Sequence, residues 1–137
     1  MELLRSVDAA QAVRRPVTSA HSIWELTLHM TAWSDIARRR LEGAALESPA
    51  ADIDWPPVPE IAGADEWMTT MQHLSDAYES LARAVKELPA DELQARVSGN
   101  DYSVETMLSG VVEHGVYHAG QIAVLLKADR DNHSKHN

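Results

Sequence analysis

The sequence predicts an all-α protein, a four-helix bundle with a shortened first helix. Two long segments have apolar residues at spacings of three and four, a third carries one apolar stripe, and no alternating apolar pattern of useful length occurs. The chain has 137 residues, 45% hydrophobic and 24% charged, which is typical of a globular domain with one core. We therefore expect residues 1–137 to form a single helical-bundle domain.

The first two helices are predicted from their end signals. The segment from Glu2 to Arg15 favours a helix that ends before Pro16 and is shorter than its partners. The second helix begins at Ser22, where Ser22 and Glu25 have the spacing of a capping box, and it runs to Gly43, a typical residue just beyond a helix end.

The remaining helices are separated by a proline-rich loop. Residues 48–63 contain four prolines, and proline at this density excludes both helix interior and strand pairing. A third helix is predicted over residues 64–88, and the last runs from Ser103 to about Lys127. Residues 129–137 have nothing apolar to bury, so we expect them to form a frayed polar tail.

Charge and composition exclude several classes of function. Twelve basic residues against twenty-one acidic ones give a net charge of −9, which argues against binding nucleic acid. No apolar run approaches the roughly 20 residues that span a bilayer, and the N-terminal residues lack the pattern of a signal peptide. We therefore expect a cytoplasmic protein without nucleic-acid or membrane partners. The chain has no cysteine, so any transition-metal site must use histidine and carboxylate ligands.

A seven-residue repeat laid over the last helix places polar residues at core positions. A heptad repeat has two core positions. His118 falls at one of them, and His114 and Gln121 fall at the other, together with Met107. The same repeat laid over the second helix places His29 at an inward-facing position. Both helices therefore present histidines to the interior of the bundle.

Three inward histidines point to a metal site more strongly than one does. Burying an unpartnered imidazole costs about 1–3 kcal/mol, and a lone buried histidine is more often a hydrogen-bonded core residue than a ligand. Two imidazoles at i and i+4 project from the same helical face, and a third on a facing helix closes a tripod. We therefore predict that His29, His114 and His118 bind a metal ion and leave coordination positions for water or substrate.

Other candidates have competing interpretations. Gln121 has two interpretations. It could contact a ligand histidine or bound substrate, or it could be a polar core residue whose hydrogen bonds are satisfied by the backbone or by water. Glu25 could orient His29, but its position in the capping box is a sufficient structural explanation. His21 lies within reach of the site mouth and is a weaker candidate. The four tryptophans replace the missing phenylalanines in the core, although Trp55 could instead line a pocket.

Two motifs resemble those of a known family. His21–Trp33 (HSIWELTLHMTAW) resembles the second-helix motif of the DinB/YfiT-like superfamily of metal-dependent hydrolases, and Glu113–Ile122 (EHGVYHAGQI) resembles its last-helix motif. Asp54-Trp55-Pro56 looks like the loop between its second and third helices. The similarity covers roughly residues 15–127.

The resemblance implies a four-helix bundle that holds a divalent metal, often nickel or zinc, on three histidines. Carried over, these are His29, His114 and His118. Members are commonly dimeric, and some relatives are transferases that use bacillithiol, mycothiol or glutathione. This chain departs from the family at its N-terminus, where the family's first helix is longer.

Two functions from different classes follow. The first is a metal-dependent enzyme of the thiol-transferase or hydrolase type acting on a small molecule, with zinc or nickel, or else iron or manganese, and an external low-molecular-weight thiol in the transferase case. No dedicated base is visible, which favours thiol transfer. The alternative is a non-catalytic metal-binding protein whose ion is structural or sensory. Because the short first helix leaves apolar surface uncovered, we also expect a homodimer.

Overall fold

The computed structural model describes residues 2–46 and 48–134. It confirms the all-α prediction: within these residues the only β feature is an isolated bridge between Arg96 and Ser103. Three long helices dominate, and the N-terminal segment and the proline-rich loop each contribute a short one. The helices are α1 (Ala9–Val13), α2 (Ile23–Leu41), α3 (Ala51–Asp54), α4 (Ala64–Glu87) and α5 (Val104–Ser134), with 3₁₀ turns at Glu2–Leu4 and Ala90–Gln94.

Both ends of α2 have the signals predicted from the sequence. The Ser22 hydroxyl accepts a hydrogen bond from the Glu25 backbone N–H at 3.2 Å, and the Glu25 carboxylate accepts one from the Ser22 N–H at 2.7 Å. Gly43 follows the last turn with φ of +90°, a left-handed conformation that favours glycine. These caps fix the register of α2 and therefore the direction of His29.

Helix α2 is the centre of the bundle, because it packs against both α4 and α5. Its first half shares one core cluster with the last half of α5, around Trp24, Leu26 and Ile122. Its second half shares another cluster with the start of α5, around Ala37 and Met107. The two helices are therefore antiparallel, and His29 lies level with the middle of α5.

The N-terminal segment differs from the predicted helix over Glu2 to Arg15. It is divided into a 3₁₀ turn and the five-residue α1. The Asp8 carboxylate accepts a hydrogen bond from the Gln11 N–H at 2.7 Å, so Asp8 starts a new helix instead of continuing an old one. Leu4 and Val7 are buried, and they anchor the segment against the bundle.

Two further elements correct the prediction. The proline-rich loop contains α3, which fits between Pro49 and Pro56 because residues 51–54 are free of proline. The tail predicted as frayed from Asp129 is helical to Ser134. Its polar residues find partners: the Asp129 carboxylate is buried and accepts hydrogen bonds from Arg14 at 2.8 and 2.9 Å. Residues 135–137 lie outside the described residues.

None of the described helices combines the length and apolar character needed to cross a bilayer.

Candidate metal centre

The three histidines singled out by the heptad register meet between α2 and α5. The Nε2 atom of His114 lies 2.9 Å from Nε2 of His29 and 3.0 Å from Nε2 of His118. His29 and His118 are buried and His114 is half-buried. One nitrogen from each ring lies within 4.8 Å of the others, so the group can hold a metal ion.

The ring of His29 is oriented by the loop that follows α2. Its Nδ1 lies 2.6 Å from the backbone carbonyl oxygen of Asp54. A carbonyl oxygen can only accept, so Nδ1 carries the proton and donates it. Nε2 of His29 is then left with its lone pair, which is directed at the other two rings.

The ring of His118 is oriented by the next turn of its own helix. Its Nδ1 lies 2.6 Å from Oε1 of Gln121, and Nε2 of Gln121 donates to the Tyr117 hydroxyl at 3.1 Å. With the amide in this orientation, Oε1 accepts from Nδ1 of His118, and Nε2 of His118 also keeps its lone pair. Gln121 therefore contacts the ring of His118 directly through its side-chain amide.

The environment keeps the rings of α5 uncharged at neutral pH. Burial lowers the pKa of His114 to about 4, helped by His118 and His29 and opposed by Asp54. Burial is also the main cause that lowers the pKa of His118. Neutral imidazole is the form that binds metal ions.

The chemistry of this donor set fits a divalent transition metal. Two of the three converging Nε2 atoms have lone pairs fixed by bonds on the far side of the ring, and the third belongs to a ring that resists protonation. Ligand histidines commonly donate their other N–H to a carboxylate, a backbone carbonyl or water, and the Asp54 carbonyl is a partner of this kind. Three imidazoles without thiolate suit a divalent transition metal rather than a thiolate-selective one.

Two aromatic side chains form walls of the site. The Trp55 ring stacks on His29 with centroids 3.9 Å apart, and His21 stacks on Trp55 at 3.7 Å. Trp33 donates its indole N–H to the Asp54 carboxylate at 2.7 Å. Trp24 and Trp67 fill the core as predicted, whereas Trp33 and Trp55 lie at the site.

An open cavity of about 510 Å³ extends from the triad between α2 and α5. The three histidines lie at one end, Arg40 and Tyr102 lie at the other, and the walls between them are mainly apolar. The triad is therefore next to a space large enough for a small molecule.

The weaker sequence candidates are placed elsewhere. Glu25 bonds to Arg15 and to the Ser22 backbone, which agrees with its structural interpretation. His21 is exposed and reaches Trp55 rather than the converging nitrogens. His73 is exposed on α4 in a separate charged groove.

The residue that sequence reasoning missed is Asp54. Its carbonyl holds His29, and its carboxylate lies 3.3 Å from the same ring nitrogen. The available signal was the Asp54-Trp55-Pro56 triplet, which had been interpreted only as part of a loop.

The fold and the site define an all-α bundle with a three-histidine centre that can hold a metal ion. A family model described as the DinB superfamily matches residues 1–122, and the chain belongs to that superfamily. Neither a curated protein nor a solved structure matches the chain significantly.

Proposed function

We propose that this protein is a metal-dependent enzyme that acts on a small molecule, with His29, His114 and His118 as the metal ligands. The observation that carries the proposal is the convergence of three Nε2 atoms at one end of an open cavity. A structural ion is usually enclosed by protein ligands, whereas a catalytic site keeps an open position beside substrate. The cavity therefore favours catalysis over the structural or sensory alternative.

The side chains of the site have defined tasks in this proposal. The Asp54 carbonyl and the Gln121 amide fix the proton on Nδ1 of their rings, so both Nε2 atoms remain available. Trp55 covers one face of His29 and keeps water from that side of the ring. When bound, a divalent ion, zinc or nickel first and iron or manganese next, lowers the pKa of a water or thiol and supplies a nucleophile at neutral pH.

Thiol transfer is the reaction type that we favour over hydrolysis. Hydrolysis needs a group to accept the proton of the attacking water, and the carboxylate of Asp54 lies 3.3 Å from Nδ1 of His29, on the side of the ring away from the converging Nε2 atoms. A low-molecular-weight thiol is far more acidic than water, with a pKa of about 8.5, so a thiol held by a cation can release its proton to solvent without a dedicated base. A thiol-using enzyme without cysteine of its own also suits the reducing cytoplasm, where we propose that it works.

The metal assignment is tested by elemental analysis of protein purified without chelators. We expect about one divalent ion per chain in the wild type and almost none in His114→Ala, because that variant removes the central nitrogen of the triad. His73→Ala is the matched control, since His73 is exposed on α4. Stoichiometric metal in His114→Ala, or none in the wild type, would contradict the assignment.

The reaction type is tested by thermal unfolding with added thiols. A ligand that binds only the folded protein raises its unfolding temperature. We expect bacillithiol, mycothiol or glutathione to stabilise the metal-loaded protein and not the metal-free protein. Equal stabilisation of both forms by every thiol would argue against thiol transfer at the triad.

The second part of the proposal is a homodimer that covers an apolar face of α5. Val112 and Val116 are 66% and 69% exposed and lie four residues apart on the same side of the helix. Beside them an apolar groove of about 430 Å³ runs between α4 and α5. A second copy of the chain would bury this apolar face, which the short α1 does not cover.

A further inference from the structure

Helix α5 contains a glycine that packing does not explain. Glycine in a helix interior is less favourable than alanine, and α5 includes Gly110, Gly115 and Gly120. A Cβ at Gly115 would lie 3.2 Å from the Tyr78 hydroxyl, so close packing accounts for that glycine. Apart from its chain neighbours and the backbone of its own helix, no atom of the described residues lies within 4 Å of the Cβ position at Gly110. A larger residue would fit there, so this glycine calls for another reason.

Gly110 lies at the rim of the cavity that extends from the triad. It lines the cavity and is exposed to solvent, and it is one turn before His114, or about 6 Å along the helix. Helices α2 and α5 are antiparallel, and His29 meets His114. Trp33, one turn after His29, therefore lines the wall that faces Gly110. A molecule that reacts at the triad has its adjoining atoms between these two walls.

The charged side chains of the described lining are already engaged by the protein. The Asp54 carboxylate accepts a hydrogen bond from the Trp33 indole at 2.7 Å. Arg40 donates to the Leu46 carbonyl and to the Tyr102 hydroxyl, and it has a further interaction besides these. Neither charge is left for a ligand.

The walls beyond the triad favour an apolar ligand. They include Ala37, Met107 and Val111. A charged group placed among these residues would lose its hydration without gaining a partner, whereas an apolar group gains by leaving water. Bacillithiol, mycothiol and glutathione carry many polar groups, so the body of such a thiol suits the solvent-facing mouth. The apolar walls suit the molecule with which the thiol reacts.

We propose that the cavity takes an uncharged electrophile with a bulky apolar body, and that Gly110 sets how large that body can be. The inference rests on the proposed function in taking the triad as the reactive end. The missing side chain leaves the rim open, and the apolar body packs against Trp33. A side chain at position 110 would lean towards Thr106 and away from His114, because Cα–Cβ bonds tilt towards the helix N-terminus. It would narrow the cavity without disturbing the triad.

Chemical-shift titration with three matched probes tests the inference. Para-isopropylbenzyl alcohol is bulky and uncharged, para-(hydroxymethyl)benzoate has a carboxylate of similar size in place of the isopropyl group, and benzyl alcohol lacks both. Each is titrated into metal-free and metal-loaded isotope-labelled protein. The Trp33 indole N–H signal, assigned from its loss in Trp33→Phe, reports binding at this wall. The variants are Gly110→Ala and Gly110→Leu. Gly120→Leu is the matched control, because Gly120 is equally open and lies outside the lining of this cavity.

The wild type should bind the isopropyl probe about tenfold more tightly than benzyl alcohol, since burial of roughly 55 Å² of additional apolar surface is enough for that factor. It should also prefer the isopropyl probe to the benzoate. Gly110→Leu should abolish the isopropyl advantage, Gly110→Ala should reduce it, and Gly120→Leu should keep it, all with unchanged metal content. Both Gly110 variants should unfold at a higher temperature than the wild type, because each replaces a helical glycine, so a folding defect cannot explain the loss.

Equal affinity for the isopropyl and benzoate probes in the wild type, or a preference for the benzoate, would overturn the inference. An isopropyl advantage that survives in Gly110→Leu would also overturn it, as would a lower unfolding temperature in Gly110→Ala, which would give the glycine a packing role. The metal-free arm separates these outcomes from failure of the proposed function. An isopropyl advantage in a protein that takes up no metal would sink the metal assignment alone, and metal uptake without the advantage would sink this inference alone.

Discussion

Two oxygen atoms on the far side of the rings determine which nitrogens of the triad are available. The Asp54 carbonyl and the Gln121 amide oxygen each lie 2.6 Å from an Nδ1 atom. One oxygen belongs to the backbone at the end of α3 and the other to a side chain of α5. Substitution can therefore remove the second bond but not the first.

Gln121→Leu tests the side-chain contact. The variant keeps the volume of the side chain and removes the acceptor of the His118 N–H, so the ring loses its fixed tautomer. We expect metal affinity to fall by about tenfold to a hundredfold, measured by competition with a chromophoric chelator. Gln72→Leu, on the exposed face of α4, is the control. An unchanged affinity in Gln121→Leu would make Gln121 a polar core residue only.

The sequence predicted the histidines better than it predicted their surroundings. Heptad register is a property of spacing, so it identified His114 and His118 on one helix and His29 on another without any coordinates. It could not separate Trp33 from the core tryptophans, because a pocket wall and a buried face have the same periodicity. The Asp54 contact was missed because every residue has a backbone carbonyl, and only the fold decides which one meets His29.

At the scale of elements, α5 extends further than its apolar residues require. The apolar pattern ends near Lys127, which is why the sequence predicted a frayed tail. Asp129 instead accepts hydrogen bonds from Arg14 and from Gln11, the latter at 3.0 Å. A polar contact across 115 positions in the chain leaves no periodic signal, so neither the helix end nor its anchor could be predicted.

Asp129→Asn tests this anchor through stability. The Arg14 hydrogen bond holds the pKa of Asp129 below its usual value, so the folded protein binds that proton less readily than the unfolded chain. We expect the substitution to lower the free energy of unfolding by about 1 kcal/mol near neutral pH, a modest value because Arg14 is partly exposed to solvent. Urea denaturation measures the difference, and Asp131→Asn, at an exposed position nearby, is the control.

The pH dependence of the same pair has a definite sign. Because the folded-state pKa is lowered, the stabilisation is fully present above the unfolded-state value of about 3.9 and is lost as the pH falls through the folded-state value. The wild type and Asp129→Asn should therefore converge in stability in acid. A difference that stayed constant down to the lowest pH would show that packing, not charge, anchors the end of α5.

At the scale of the whole molecule, α2 contacts both α4 and α5, and α1 is too short to close the bundle on the remaining side. The fold class, the three long helices and the short first helix were all predicted, because burial on one face imposes a period that the sequence records. The N-terminal segment is divided because Asp8 caps a new helix. The presence of α3 depends on a run of four proline-free residues. Local features of this kind give too weak a pattern to predict.

Val116→Asp tests the proposed dimer. A carboxylate on the exposed apolar face of α5 should disfavour burial against a second copy, and it should cost the monomer little because Val116 is already 69% exposed. We expect sedimentation equilibrium to show a dimer for the wild type and a shift to monomer for the variant. Ile61→Asp, on a loop residue that is 76% exposed, should leave the mass unchanged. A monomeric wild type would refute the dimer.

The bond from His29 to the Asp54 carbonyl has a consequence for how this centre can vary among related chains. The contact depends on the path of the backbone and not on the side chain at that position, so the amino acid at 54 can change while the bond persists. A deletion or insertion between α2 and α4 would move the carbonyl and release the ring. Loop length, rather than residue identity, should therefore be the better marker of chains that retain an intact centre.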